Sequence, residues 1–229
     1  MPPDRFLSRR DRCLEQLAHS ILQVQCPHPL RIAIDGVQTA GKTTLGDALV
    51  APIEARGRPV LRASIDGFHR PRAERYRRGV DSPIGYYEDA FDYATLIDAL
   101  LLPLGPVGDR WCRLESFDLH NDTPIHATPQ RVSEHTVLLL DGVFLLRPQL
   151  NPYWDTSIYV QVDTEVALQR AIRRDQHIIG SPQAVAERYQ QRYFPAERMY
   201  LETVQPHQLA DVIIDNNDPL DPQIISTRI

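Results

Sequence analysis

Along this chain, short unbroken apolar runs alternate with stretches in which apolar residues return every three or four positions. In residues 4–24, Phe6, Leu7, Leu14, Leu17, Ile21 and Leu22 fall at helical spacing with arginines and acids between them. That pattern predicts an amphipathic N-terminal helix within residues 1–25, to which no chemistry is assigned. "LRIAI" (30–34) is a partly β-branched apolar run closed by Asp-Gly, and reads as a buried strand. "TTLGDALVAPIEA" reads as a helix whose regular part Pro52 bends or ends. "RPVLRASI" is a second strand, and residues 89–102, "DAFDYATLIDALLL", a helix with Asp89 as its N-cap. "TVLLL" and "TSIYVQV" follow as strands, "TEVALQRAIRRDQ" and "PQAVAERYQQRYF" as helices, and "ADVIID" as a final strand.

The strands are apolar throughout rather than alternating, so both of their faces are expected to be covered. Strands interleaved with helices then predict an α/β fold of three layers, α/β/α, around a mainly parallel sheet. With no repeat, low-complexity tract or linker, residues 1–229 read as a single domain. Three of the strands end alike, in "AIDG" (33–36), "SIDG" (64–67) and "LLDG" (139–142). Each alone is a turn signal. In a parallel sheet, however, the carboxyl ends of strands face one crevice, where three acids would suit a magnesium ion and phosphates.

Composition narrows the partners. A net charge of −5 disfavours a general nucleic-acid or membrane-surface binder, and no apolar run approaches the roughly 20 residues of a membrane span. The N-terminus is too charged for a signal peptide, so a cytoplasmic protein is expected. Cys13, Cys26 and Cys112 form no CxxC pair and read as free thiols, and the eight histidines make no metal-ligand spacing.

One segment carries chemistry. "GVQTAGKT" (36–43) satisfies G-x-x-x-x-G-K-[ST] between a strand and a helix, the context of a P-loop. Its glycines let backbone N–H groups wrap a phosphate, and the following helix presents its positive end to the same anion. The expected nucleotide contacts are Gly36, Thr39, Ala40, Gly41, Lys42, Thr43 and Thr44, with Lys42 on the β- and γ-phosphates and the Thr43 hydroxyl on Mg²⁺. Lys42 is also the only lysine in the chain. A compact ammonium fits a tight loop where the planar guanidinium would not.

A guanine-reading N-K-x-D motif is excluded, since the one lysine is already used. A P-loop with a long basic insert after the second strand suits a small-molecule kinase. "SIDGFHRPRAERYRRG", "SPIGYYEDAFDY", "LLLDGVFLL", "RAIRRD" and "RYFPAERMYLETVQPHQLADVIID" together resemble the uridine kinase, phosphoribulokinase and pantothenate kinase group of P-loop kinases, in order from about residue 30 to 217. The resemblance implies ATP and Mg²⁺ as cofactors, a small-molecule acceptor, a small helical lid at about 175–200 and an acceptor-side insert at 67–88. It leaves a homo-oligomer open. By the resemblance, Asp66 sits beside the acceptor hydroxyl and can also meet the metal. Asp141 ends the Walker B-like strand and holds Mg²⁺. Arg170 and Arg174, sharing one helix face at i and i+4, neutralise the phosphoryl group in transit.

The acceptor side is less defined. His69 and Tyr86 stand where uridine kinases carry a tyrosine and an aspartate, Asp122 where they carry a histidine, and "IIGS" where their lid has R-G-R. Arg70, Arg72, Arg75, Arg77 and Arg78 face a single Glu74 within their segment, which reads either as a solvated surface or as a grip on an anionic acceptor. Tyr86, with Tyr87, Phe91 and Tyr93, belongs to an aromatic cluster of packing type, and Asp118 in "FDLHND" is a candidate for an acceptor hydroxyl. The preferred reading is uridine kinase-like, with pantothenate, glycerate or sugar kinases, or a nucleotide-binding regulator of little transfer activity, as alternatives.

Overall fold

The computed structural model describes residues 7–229. Phe6 and the rest of residues 1–6, assigned above to the N-terminal helix, lie outside them. The main sheet has six strands: β1 (Leu30–Gly36), β2 (Val60–Ser64), β3 (Val137–Asp141), β4 (Thr156–Gln161), β5 (Val212–Asp215) and β6 (Gln223–Thr227). Their order is β6-β5-β4-β1-β3-β2. The first five run parallel and β6 pairs antiparallel to β5 at the edge.

The helices are α1 (Arg9–Ile21), α2 (Lys42–Glu54), α3 (Pro83–Asp89), α4 (Thr164–Ile179), α5 (Pro182–Arg188) and α6 (Phe194–Val204), with shorter turns between them. α1 starts at a capping box, in which Ser8 and Asp11 each accept the other's backbone N–H. Its Leu17 and Ile21 pack with Leu45, Leu49 and Ile53 of α2 on one face of the sheet, against Ile32, Ile34 and Leu139. The other face carries Ala33, Leu138 and Leu140 beneath Phe68, Leu100, Phe144 and Tyr200. Neighbouring residues of a strand thus feed opposite cores, as the two-residue period requires. This is the expected three-layer α/β/α arrangement. A small separate cluster of Ala171, Val185 and Tyr189 joins α4 to α5.

Several boundaries differ from expectation. Residues 89–102 are not one helix: Asp89 ends α3, and Asp92 caps a new turn, Tyr93–Leu96, by accepting the Thr95 N–H, before a π-turn at Ile97–Leu101. Asp89 serves elsewhere. Buried, it accepts Arg77 at 2.5 Å and Arg78 at 2.7 Å, so a desolvated carboxylate is balanced by two guanidinium groups. The helix foreseen at 182–194 runs on through a π-turn at Tyr189–Tyr193 into α6. Pro52 lies within the last turn of α2, which stops two residues later. β6 and two short antiparallel pairs, Trp111–Cys112 with Gln130–Arg131 and Phe117–Asp118 with Thr123–Pro124, were not foreseen. Among the described residues no helix is long and apolar enough to cross a membrane.

Candidate active site

β1 delivers the chain to the phosphate loop through a close approach. A Cβ on Gly36 would stand 2.5 Å from the Val160 carbonyl oxygen of β4. Thr39 (φ 57°) and Gly41 (φ 96°) then take left-handed backbone, the conformation of turns that gather amides around an anion. At Gly41 a Cβ would meet Asn216 Nδ2 at 2.5 Å, and that amide donates to the Ala40 carbonyl at 2.6 Å. Arg170 of α4 clasps the loop. Its Nη1 donates to the Thr39 and Ala40 carbonyls at 3.5 and 3.4 Å, and its Nη2 to Asn216 and Asn217 at 2.8 and 3.2 Å. Lys42 opens α2, is buried, and donates to the Val37 carbonyl at 2.6 Å. Burial pulls its ammonium below the ordinary lysine value, opposed by the carboxylates of Asp35, Glu197, Asp141 and Asp66.

Of the three Asp-Gly acids, two reach the crevice. Asp141 accepts the Thr43 hydroxyl at 2.6 Å and Arg62 Nη2 at 2.7 Å. Asp66 sits in a 3₁₀ turn, Ile65–Phe68, just beyond β2. Its side chain is 68% exposed and the nearest base is His69 Nδ1, at 3.9 Å. Asp35 corrects the sequence reading: it is fully buried on the opposite side of the sheet. Its carboxylate accepts the Gly36 N–H at 2.8 Å, the Leu145 N–H at 3.4 Å and the Tyr200 hydroxyl. The cause is register. Ile34, not Asp35, pairs with Asp141, so the two aspartates are one residue out of step and point to opposite faces. Burial pushes Asp35 up to about 6, against the opposing hydrogen bonds from Tyr200 and Gly36 and the charge of Lys42.

A cavity of about 450 Å³ joins these groups. Lys42, Thr43, Asp66, Asp141, Arg170 and Arg174 all line it, as do Thr39, Gly41 and Thr44. The Arg174 guanidinium is held by Asp175 at 2.7 Å and the Tyr189 hydroxyl at 3.2 Å, and feels the charge of Asp66. The Thr43–Asp141 pair sets two hard oxygen donors side by side at the loop, a donor set that suits Mg²⁺. The arrangement can hold a chain of phosphates, neutralise its end, and offer a carboxylate to a hydroxyl nearby.

The expected acceptor contacts are placed differently. His69, Arg70, Tyr86 and Asp118 do not line this cavity. His69 packs on Phe91 with ring centroids 4.5 Å apart, and burial draws its imidazole below the ordinary value, opposed by Asp66. Arg70 donates to the Phe91 carbonyl at 3.0 Å. Asp118 folds a turn by accepting the N–H groups of His120 and Asn121. Tyr86 is buried among Phe91, Phe144 and Tyr193, and its hydroxyl accepts Gln38 Nε2 at 2.5 Å. Most of the basic segment is tied down within the chain. Besides the Asp89 pairs, Arg75 meets Asp122 at 3.1 Å and Arg70 meets Glu74 at 3.4 Å. Asp89 and Asp122 lie outside the segment, which is why counting charges within it found only Glu74.

Sequence reasoning missed Glu197. It is buried and accepts the Gln38 backbone N–H of the phosphate loop at 2.6 Å. Burial pushes its carboxyl up to about 7, opposed by that N–H and by Lys42. A signal existed: Glu197 is four residues after Tyr193 and three before Tyr200, so it falls on the apolar stripe of its helix. Cys26, His28 and Asp155 also bring their ligand atoms within 4.8 Å of one another, but Asp155 is committed to Arg31 Nη2 at 2.9 Å.

Residues 31–219 match the sequence profile described as "Phosphoribulokinase / Uridine kinase family". The "Uridine-cytidine kinase B" of Dictyostelium discoideum is 28% identical over 189 residues, covering 82% of this chain and 74% of that protein. The "Uridine kinase" of Geobacillus sp. (strain WCH70) is 28% identical over 195 residues, covering 81% and 85%. A solved structure described as a possible uridine kinase from Bacillus stearothermophilus superimposes with a TM-score of 0.70 at 28% identity, over 89% of this chain and 97% of that one. With a P-loop and an acid-lined crevice in the matched region, the chain belongs to the phosphoribulokinase/uridine kinase family and is a kinase, a phosphotransferase with an alcohol group as acceptor.

Proposed function

We propose that the protein transfers the γ-phosphoryl group of ATP to a hydroxyl of a small metabolite, with a pyrimidine nucleoside as the first candidate acceptor. One observation carries the reading: a single cavity brings Lys42 and the Thr43–Asp141 pair together with Asp66 and Arg174. The relatives' descriptions as uridine kinases support the choice of acceptor class.

In this mechanism the loop amides and Lys42 hold the β- and γ-phosphates. Mg²⁺, held by the Thr43 hydroxyl and Asp141 and reachable from Asp66, would supply charge neutralisation across those phosphates. Asp66 orients the acceptor hydroxyl and takes its proton late, as a loose phosphoryl transfer demands more positioning than basicity. Arg174 neutralises charge on the transferred group. Gln38 is fixed at both ends, by Glu197 through its backbone and by Tyr86 through its side chain. Tyr86 therefore acts through the loop as a positioning residue.

The test is an ADP-release screen over uridine, cytidine, pantothenate, glycerate and sugars, repeated with Asp66→Asn. Release is expected with the pyrimidine nucleosides, falling roughly 10²- to 10⁴-fold in the variant, with ATP binding retained. If Asp66→Asn keeps the wild-type rate, its assigned role is wrong. ATP binding without transfer to any acceptor would favour the regulator instead.

A further inference from the structure

The cavity continues past the phosphate loop to a second end whose residues the transfer chemistry does not use. Arg10 and Leu14 of α1 line it, with Thr44 of α2 and, beyond β5, Asn216, Pro219 and Pro222. Sheet order separates the two ends. Asp66 and Asp141 follow β2 and β3 on one side of β1, whereas Asn216 and the prolines follow β5 on the other. A triphosphate whose γ end lies at Asp66 and Arg174 must send its nucleoside the other way, toward Arg10.

The second end is firmly built. α1 is anchored by Leu17, Ala18 and Ile21, all fully buried, and by ion pairs Arg9–Asp221 and Arg56–Glu15, each 2.7 Å. The first of these ties α1 to the same turn that carries Pro219 and Pro222. Arg10 stands apart from its neighbours. Arg9 is paired, and Arg12 donates to the Leu7 carbonyl at 2.9 Å. Arg10 is half-buried on the cavity wall with no hydrogen-bond or ion-pair partner among the described residues. Leu14 follows it by four positions and shares its helix face. A planar guanidinium, a leucine and two proline rings make a slot for a flat heteroaromatic ring, which a guanidinium stacks upon. The profile match runs from residue 31 to residue 219, so α1 and Pro222 lie outside the matched profile.

Resting on the kinase reading above, we propose that α1 and the 219–222 turn form the nucleoside half of the phosphoryl-donor site, with Arg10 laid against the purine and Leu14, Pro219 and Pro222 as its apolar walls. Recognition there is by stacking on the base, separate from the grip on the phosphates.

The two halves can be tested apart by calorimetric binding of Mg·ATP and of Mg·tripolyphosphate, which has the same phosphate chain and no nucleoside. Arg10→Ala is expected to weaken ATP roughly five- to thirty-fold and to leave tripolyphosphate within about two-fold. Arg10→Lys keeps the charge without the plane and is expected to recover only part of the lost affinity. Lys42→Ala should weaken both ligands. Unchanged ATP affinity in Arg10→Ala overturns the proposal. So does an equal loss for tripolyphosphate, which would make Arg10 a phosphate ligand, or full rescue by lysine, which would reduce it to charge. If Lys42→Ala leaves both ligands unaffected, it is the phosphate-loop reading that fails instead.

Discussion

Replacing Glu197 by glutamine tests the electrostatics of the phosphate loop without changing its shape. The glutamine oxygen can still accept the Gln38 N–H that Glu197 takes at 2.6 Å, so the perturbation is the charge alone. Burial raises this carboxyl from 4.5 to about 7 in the folded protein. The native state thus holds the proton more tightly than the unfolded chain. Stability is greatest while the group is neutral in both states and is lost as pH rises from 4.5 through about 7. At about 1.4 kcal/mol per pH unit, that interval costs on the order of 3 kcal/mol at alkaline pH. That net shift already includes the attraction between the ionised acid and Lys42, so the variant's expected stabilisation at pH 8 is likewise on the order of 3 kcal/mol. For a chain of this size, each kcal/mol moves Tm by roughly 2–4 °C. Thermal melts of both proteins between pH 4.5 and pH 8.5 should therefore coincide at the acid end and diverge upward through neutrality, with glutamine the more stable. Curves that stay parallel, or a variant that weakens as pH rises, would refute the assignment of a buried, proton-holding Glu197.

Two further perturbations probe the scaffold. Gly41→Ala places a methyl group 2.5 Å from Asn216 Nδ2 at a backbone φ of 96°, so the loop must distort; ATP binding, measured by calorimetry, should fall at least roughly ten-fold while the far-ultraviolet circular dichroism is kept. Leu49→Ala empties a fully buried position between α2 and the sheet and should cost about 2–5 kcal/mol in urea unfolding, with the KM for ATP in the folded fraction unchanged.

The sequence made the phosphate loop readable because that function needs residues adjacent in the chain: glycines for the turn, one ammonium, and a hydroxyl next to it. Layering was readable for a similar reason, since a strand buried on both faces must be apolar throughout. What escaped depended on register or on distant partners. "AID" and "LLD" look equivalent as strings, yet a one-residue offset between β1 and β3 sends Asp35 into a core and leaves Asp141 at the crevice. Asp89 has the composition of a helix cap, but two arginines on the preceding loop claim it. Tyr86 stood at a substrate position by resemblance and instead bonds to the loop through Gln38. Glu197 lies 159 positions from the amide it holds, and only its place on an apolar helix face hinted at a buried role. α1 announced its amphipathic pattern clearly; that its Arg10 would stand at the cavity could come only from three-dimensional packing.

Arg170 constrains how this enzyme can move. Its four carbonyl partners belong to two separate stretches of backbone, so the root of α4 behaves as a fixed bearing riveted to the loop it serves. Swinging α4 as a whole would break those four bonds and disturb the cradle they hold. A movement that spares them must pivot further out, beyond the end of α4, which Gly180 caps with φ at 118° and nothing within 4 Å of where a side chain would begin.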